Sequence, residues 1–458
     1  MRHTKLALAA ISLAVLAGCG GTSPEPGNQT LRTKFSAQVS FGDSLSDVGT
    51  YAVGTVAALK GGKWTINGDN TAVNPALTGK NWTELMAAQL GLPAPCAAQT
   101  GLDGDPTQGF SVPVVNHAGC YSYAQGGSRV SNPVGPGNKL TGSPLGALTV
   151  PVSTQIANHL AASGGKFKGD EIVFVMAGAN DLFIQLGTLQ AAATAAGTAA
   201  GTAAFPNLLV AGLAAGATNP QTAAQAIGIA LATEAANPAH TDSSIVAAAV
   251  GAAAIQPGNS AVASPAVYGP IVAKAQSDAA AAGTKAGNDY AAAHGPDLIP
   301  AMAQAGTDLA NLVKTQIVAN GANYVTVNNL PDAAATPSAL AQSTDTRALI
   351  AAMVGAFNSA LATGLGSDPK ILLVNAYSVN HDQVTNPAPY GLTDVTHMAC
   401  DPNPAKNPLS SSLTCNGGNL VSGDVSHYLF ADDVHPTPFG YLLLARYVAE
   451  QMVIKGWL

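Results

Sequence analysis

A serine hydroxyl becomes a useful nucleophile only when a base removes its proton, so the first requirement is a serine in an exposed turn and a histidine able to reach it. Ser44 sits in Gly42-Asp43-Ser44-Leu45, where the apolar stretch Val39-Ser40-Phe41 runs straight into the turn. A strand-to-helix turn of that kind exposes a side chain and aims backbone N–H groups at the same point. Near the other end, Asp432-Asp433-Val434-His435-Pro436-Thr437 offers His435 as the base. Asp432, three residues earlier, is the carboxylate that would hold its imidazole in one tautomer. Asp433 is the competing carboxylate, but the three-residue spacing lets Asp432 fold back toward His435. Pro436 restricts His435 to an extended backbone. Taken alone, Ser44 is an ordinary turn serine and Asp432–Thr437 a helix-capping segment.

Acyl chemistry at Ser44 would also need donors for the developing oxyanion. Asn180, in Gly178-Ala179-Asn180-Asp181 after a buried strand, offers a side-chain amide. Gly126-Gly127, within Tyr123-Ala124-Gln125-Gly126-Gly127-Ser128, offers backbone N–H groups that a substrate can approach closely. One preplaced donor of this kind lowers a barrier by about 3 kcal/mol.

These groups lie far apart in the chain, so the elements between them must bring them together. Apolar strands are expected at Val39–Phe41, Glu171–Ala177, Tyr324–Val327 and Lys370–Asn375, and helices near Pro300–Ala319, Thr346–Leu365 and Thr437–Ile454. Short apolar strands alternating with helices indicate an α/β fold with a parallel sheet covered on both faces. Functional groups in such sheets gather beyond the carboxyl ends of the strands, where both Ser44 and Asn180 would sit. Between about residues 187 and 295 the composition shifts to Ala, Gly and Thr. That segment reads as a helical insertion, either packed beside the core or lying over the site as a lid.

The set resembles the G-D-S-L lipases and esterases, the SGNH hydrolase superfamily. Phe41 to Gly49 is similar to that family's first block, Tyr123 to Gly127 to its second, Gly178 to Asp181 to its third and Asp432 to Thr437 to its fifth, all in family order. The resemblance implies a flavodoxin-like three-layer α/β/α fold with about five parallel strands over residues 37–458. It implies Ser44 as nucleophile, His435 as base and Asp432 as its orienter. The oxyanion donors would be the N–H groups of Ser44 and Gly127 and the side chain of Asn180. The implied reaction is carboxylic ester hydrolysis through an acyl-serine, on lipid or short-chain acyl esters, with neither metal nor organic cofactor. Carbohydrate acetylesterase and lipid acyltransferase activities are alternatives on the same residues, and a non-catalytic surface-binding lipoprotein is the remote one. Ser122 and Thr50 stand where the family commonly has Asn. The first departure leaves the choice between Gly126 and Gly127 open.

At the N-terminus, Arg2, His3 and Lys5 precede an apolar run from Leu6 to Leu16 that ends in Leu16-Ala17-Gly18-Cys19. Residues 1–18 read as an export signal, too short to span a bilayer. Leu16–Cys19 resembles the lipobox of bacterial lipoproteins, which implies acylation of Cys19 and a lipid anchor; the stretch that follows, with Pro24, Pro26 and Gly27 and no apolar periodicity, makes residues 19–36 read as a flexible tether. Gly20 after Cys19 resembles the sorting pattern of outer-membrane lipoproteins, so the expected location is that membrane, the periplasm or the cell surface. Export into an oxidising compartment favours disulfides among the other cysteines. Cys96–Cys120 and Cys400–Cys415 are the expected pairs because each closes a local Gly/Asn/Pro-rich loop. Of the 458 residues 47% are hydrophobic and only 10% charged, with a net charge of −7, which excludes general disorder. The absence of Lys/Arg clusters argues against nucleic acid as a partner and leaves a small-molecule or lipid ester.

Overall fold

The computed structural model describes residues 33–68 and 78–458. The expected signal at 1–18, Cys19 and nearly all of the 19–36 tether lie outside the described residues. Strands β1 (Gln38–Gly42), β4 (Ile172–Met176), β5 (Tyr324–Asn328) and β6 (Ile371–Val374) form a parallel sheet in the order β1-β4-β5-β6. In β4 all five residues, Ile-Val-Phe-Val-Met, are buried, as a strand covered on both faces requires. Successive side chains leave a strand on opposite faces, so Val173 and Val175 face one layer while Ile172, Phe174 and Met176 face the other.

On the first face pack α2 (Val152–Ala162), α7 (Leu298–Leu312) and α8 (Thr344–Leu365), through Ile156, Leu309 and Phe357 among others. On the second lie α1 (Trp82–Gln89) and α10 (Pro438–Ile454), through Met86, Tyr441 and Val448. By length and composition α8 could cross a membrane, yet its Ile350-Met353-Phe357-Leu361 face is buried against the sheet layer. The sheet has four strands among the described residues rather than about five. Where a fifth would flank β1, Tyr121–Tyr123 makes one parallel bridge, with Ser40 N–H donating to Tyr121 O (3.0 Å) and Tyr123 N–H to Ser40 O (2.8 Å). The backbone then turns away into Gly126-Gly127, which ends the pairing.

The Ala-rich region forms a helical arm of α3 (Ala179–Ala214), α4 (Pro220–Ala235), α5 (Asp242–Ala254) and α6 (Pro265–His294). It starts at Ala179, earlier than the compositional change at 187 suggests, because Asn-Asp-Leu-Phe-Ile-Gln-Leu continues straight into the Ala-rich turns. Antiparallel α3 and α6 touch at glycines: a Cβ on Gly197 would lie 2.7 Å from Gly283 O, and one on Gly283 2.7 Å from Gly197 O. Distally the arm has its own apolar cluster around Leu209, Leu213, Ile227 and Val250. Helix α9 (Ala376–Thr385) follows β6, and outside these layers stand a hairpin of β2 (Gln99–Asp103) and β3 (Ser111–Asn116) and a parallel pair of β7 (Asp394–Met398) and β8 (Tyr428–Phe430). The structure has disulfides Cys96–Cys120 and Cys400–Cys415.

One core residue is out of keeping with its surroundings. His159 of α2 is 1% exposed, ringed by Phe41, Tyr121, Tyr123 and Phe167, and neither ring nitrogen has a hydrogen-bond partner. Burial, with Lys168 nearby, pushes its pKa down to about 4. The unfolded chain, whose histidine titrates near 6.5, therefore binds more protons between those values, and the stability that His159 leaves intact at neutral pH is lost as the pH falls through this window. His159→Phe keeps an aromatic ring without the titration. Its urea midpoint is expected to decline less than the wild-type midpoint between pH 7 and pH 5, and parallel declines would remove His159 from this role. Other groups titrating in that range, Asp43 among them, are common to both proteins.

Candidate active site

Ser44 is presented by the end of β1, and that end is clamped. Gly42 N–H donates to Gln155 Oε1 and the Gln155 amide returns a bond to Gly42 O, both 2.8 Å. Gly42 has φ +153°, and a Cβ there would meet Met176 O at 2.2 Å, so only glycine lets β1 pack this closely on β4 before the turn. At the other end of the chain α10 begins at Pro438, with Thr437 capping Gly440 N–H, so Asp432–Pro436 is the loop that enters it.

These two segments, 391 residues apart, meet. Ser44 Oγ lies 2.9 Å from His435 Nε2, and His435 Nδ1 lies 2.8 and 2.9 Å from the two carboxylate oxygens of Asp432. Because an ionised carboxylate only accepts, Nδ1 must carry the proton, which leaves Nε2 to accept from the Ser44 hydroxyl. Asp432 also accepts the N–H groups of Ser412 (2.8 Å), Val434 (3.1 Å) and His435 (2.8 Å). Asp433 does not share that position: it is exposed, and its carbonyl accepts the N–H of Ser338.

The charges on this chain follow from burial and pairing. Burial works against the Asp432 carboxylate, but the facing His435 and the N–H groups outweigh it and hold its pKa well below the usual range. Burial pulls His435 down, and the carboxylates of Asp432, Asp433 and Asp43 together more than offset this, so its pKa ends above the ordinary 6.5. Asp43, next to the serine, is pushed up to about 7 by burial, against the Leu45 N–H that bonds its Oδ1.

Two of the expected oxyanion donors meet at one turn, where the Asn180 amide bonds the carbonyl of Ser128, the neighbour of Gly127. Gly126 N–H is committed to Asp47 Oδ2 at 2.9 Å, whereas the N–H groups of Gly127 and Ser44 have no intramolecular acceptor among the described residues. Gly127, at φ +81°, has no room for a side chain, since a Cβ would lie 2.2 Å from Pro136 O. Asn180, 5% exposed in the first turn of α3, gives one amide hydrogen to Ser128 O at 2.8 Å and keeps a second. Ser122, in place of the common Asn, is buried beside β1 with its hydroxyl unpartnered; Thr50 donates its N–H to Asp47 Oδ1 at 2.8 Å.

Several supporting residues escaped the reading of the sequence. Asp47 joins the two glycine-containing segments by accepting Gly49, Thr50 and Gly126 N–H groups; its place within the first block was the available signal. Gln155, Ser412 and Trp64 carry no local signal, because their roles exist only in contacts across the fold.

No protein-family model matches the chain. Among curated proteins it is similar to a GDSL esterase/lipase of Arabidopsis thaliana, 30% identical over 155 residues, which are 31% of this chain and 42% of that protein. Two further GDSL esterase/lipases of that plant are 29% identical over 76 residues (17% of this chain, 20% of the relative) and 32% identical over 83 (18% and 22%). The chain thus spans less than half the length of these relatives, with which it shares a distant, partial similarity of GDSL esterase/lipase type.

Proposed function

We propose that the protein is a serine carboxylic ester hydrolase acting on lipid or short-chain acyl esters through an acyl-serine. The observation that carries this reading is the unbroken chain from Ser44 Oγ through His435 to Asp432, 2.9 and 2.8 Å per link. In this reading Ser44 Oγ attacks the ester carbonyl while its proton passes to His435 Nε2. The tetrahedral oxyanion receives hydrogen bonds from Ser44 N–H, Gly127 N–H and Asn180 Nδ2. Collapse breaks the ester C–O bond, and the leaving alkoxide takes the proton from Nε2. Water then attacks the acyl-serine, its proton goes to Nε2, and the acid departs as Ser44 is reprotonated. Asp432 stays ionised throughout and steadies the imidazolium. The two disulfides favour action in an oxidising compartment.

A fluorophosphonate tests the assignment without knowledge of the natural ester. Attack on phosphorus expels fluoride and leaves a stable phosphonyl-serine. One adduct per chain is expected, on the peptide carrying Ser44, formed by folded protein and lost after denaturation. Labelling elsewhere, or none on folded protein, would overturn the proposal.

A further inference from the structure

Trp64 lies in a loop tied down from every side, although its own side chain takes part in none of the ties. Gly62 N–H donates to Leu413 O (2.8 Å) and Asn67 N–H to Cys415 O (2.7 Å), while the Asn67 amide reaches Ser412 O (2.9 Å) and Lys63 O (2.7 Å). Thr65 Oγ1 donates to Pro436 O (3.0 Å), next to His435, and Tyr441 of α10 donates its hydroxyl to Trp64 O (3.1 Å). The loop is thereby fixed to the segment whose Ser412 N–H bonds Asp432, and to the loop that bears the imidazole. The result is an indole laid over His435, with ring centroids 4.8 Å apart and planes 34° from parallel.

The indole is not held there by its polar atom. Trp64 Nε1 is buried without an acceptor, against Gly126, where a Cβ would lie 2.2 Å from it. An N–H left unbonded in such a place is a net loss to stability, so the fold gains from the ring and not from the donor. The ring presents its face to an imidazole that becomes imidazolium whenever Ser44 gives up its proton, and an aromatic face attracts a cation.

We propose that Trp64 is a positioning residue for the base: its π-face stabilises the charged form of His435 and confines the ring between Asp432 and Ser44. The other groups acting on this imidazole are Asp432 at Nδ1, Ser44 at Nε2, and the carboxylates of Asp433 and Asp43. All of these remain when Trp64 is changed. The functional consequence rests on the ester-hydrolase reading, but the effect on His435 does not.

The test separates the π-face from bulk. Trp64→Leu keeps an apolar wall and removes the face, whereas Trp64→Phe restores a face without the orphaned N–H. NMR titration of histidine-labelled protein, with the His435 signal assigned through His435→Gln, reads the imidazole directly. In Trp64→Leu the His435 pKa is expected to fall by about one unit. The acid limb of kcat/KM should move down by the same amount, with a loss of about tenfold on the plateau. Trp64→Phe should recover most of both. An unchanged titration in Trp64→Leu, or equal shifts in the Leu and Phe variants, would overturn the proposal. If wild-type protein and Ser44→Ala hydrolyse esters equally, the hydrolase reading fails, while the titration still decides the role of Trp64.

Discussion

Replacing Ser44 by alanine is expected to lower kcat/KM for a p-nitrophenyl ester by about 10⁴- to 10⁶-fold, with the fold unchanged. The size follows from what is removed. In the hydrolase reading Ser44 Oγ is the atom that bonds to the substrate, and without it His435 has only water to activate. The residue left is not zero, because oxyanion donors and a bound ester retain part of the acceleration. The fold should survive because the side chain is small, and the side-chain partner of Oγ is the imidazole nitrogen 2.9 Å away. Circular dichroism and the melting temperature give the structural control. A loss smaller than tenfold would take the bond-forming role away from Ser44.

The second large effect is expected at Asp432→Asn, about 10³- to 10⁴-fold in kcat. Asp432 accepts at both oxygens, from His435 Nδ1 and from the N–H groups of Ser412, Val434 and His435. An amide has one acceptor and one donor end, so in either orientation a donor faces a donor. Turning the NH₂ toward Nδ1 forces the other tautomer, in which Nε2 carries the proton and cannot take one from Ser44. The direction of the pH change is also fixed. In the native protein the carboxylate, with those of Asp433 and Asp43, lifts the His435 pKa above its ordinary value against burial, so its loss lets that pKa fall. The acid limb of the rate profile should therefore shift to lower pH even as the plateau collapses. A pH–rate series on Asp432→Asn and Asp433→Asn checks both the role and the choice between neighbours. A larger loss at Asp433 would transfer the role to that residue.

The two assays also differ in what they report. Ser44→Ala removes the group that forms the bond, so every ester should be affected alike. Asp432→Asn leaves the nucleophile in place and impairs the base, so esters with better leaving groups should lose less.

What could be read in the residues alone was the local chemistry. Runs such as Ile172–Met176 are apolar without interruption because a strand covered on both faces meets only apolar neighbours, and this marks the sheet before any contact is known. The spacing of Asp432 and His435 likewise expresses a local geometry, a carboxylate folding back over three residues. The start of the helical arm was less legible, because α3 begins in bulky residues and changes composition only a turn or two later. That only one bridge, and no full fifth strand, flanks β1 among the described residues was not legible at all, since it depends on where Gly126-Gly127 leads the backbone.

Composition and short-range pattern thus determined the α/β layering and the residue types available for chemistry, because burial and backbone conformation are written in neighbouring side chains. Only the tertiary structure decided that Gly126 is spent on Asp47 while Gly127 stays unbonded, that Gln155 locks the end of β1, and that Trp64 covers His435. Each of those depends on groups tens to hundreds of residues apart arriving at one place. Their separation in space is set by the packing of whole layers, and no local run of residues encodes it.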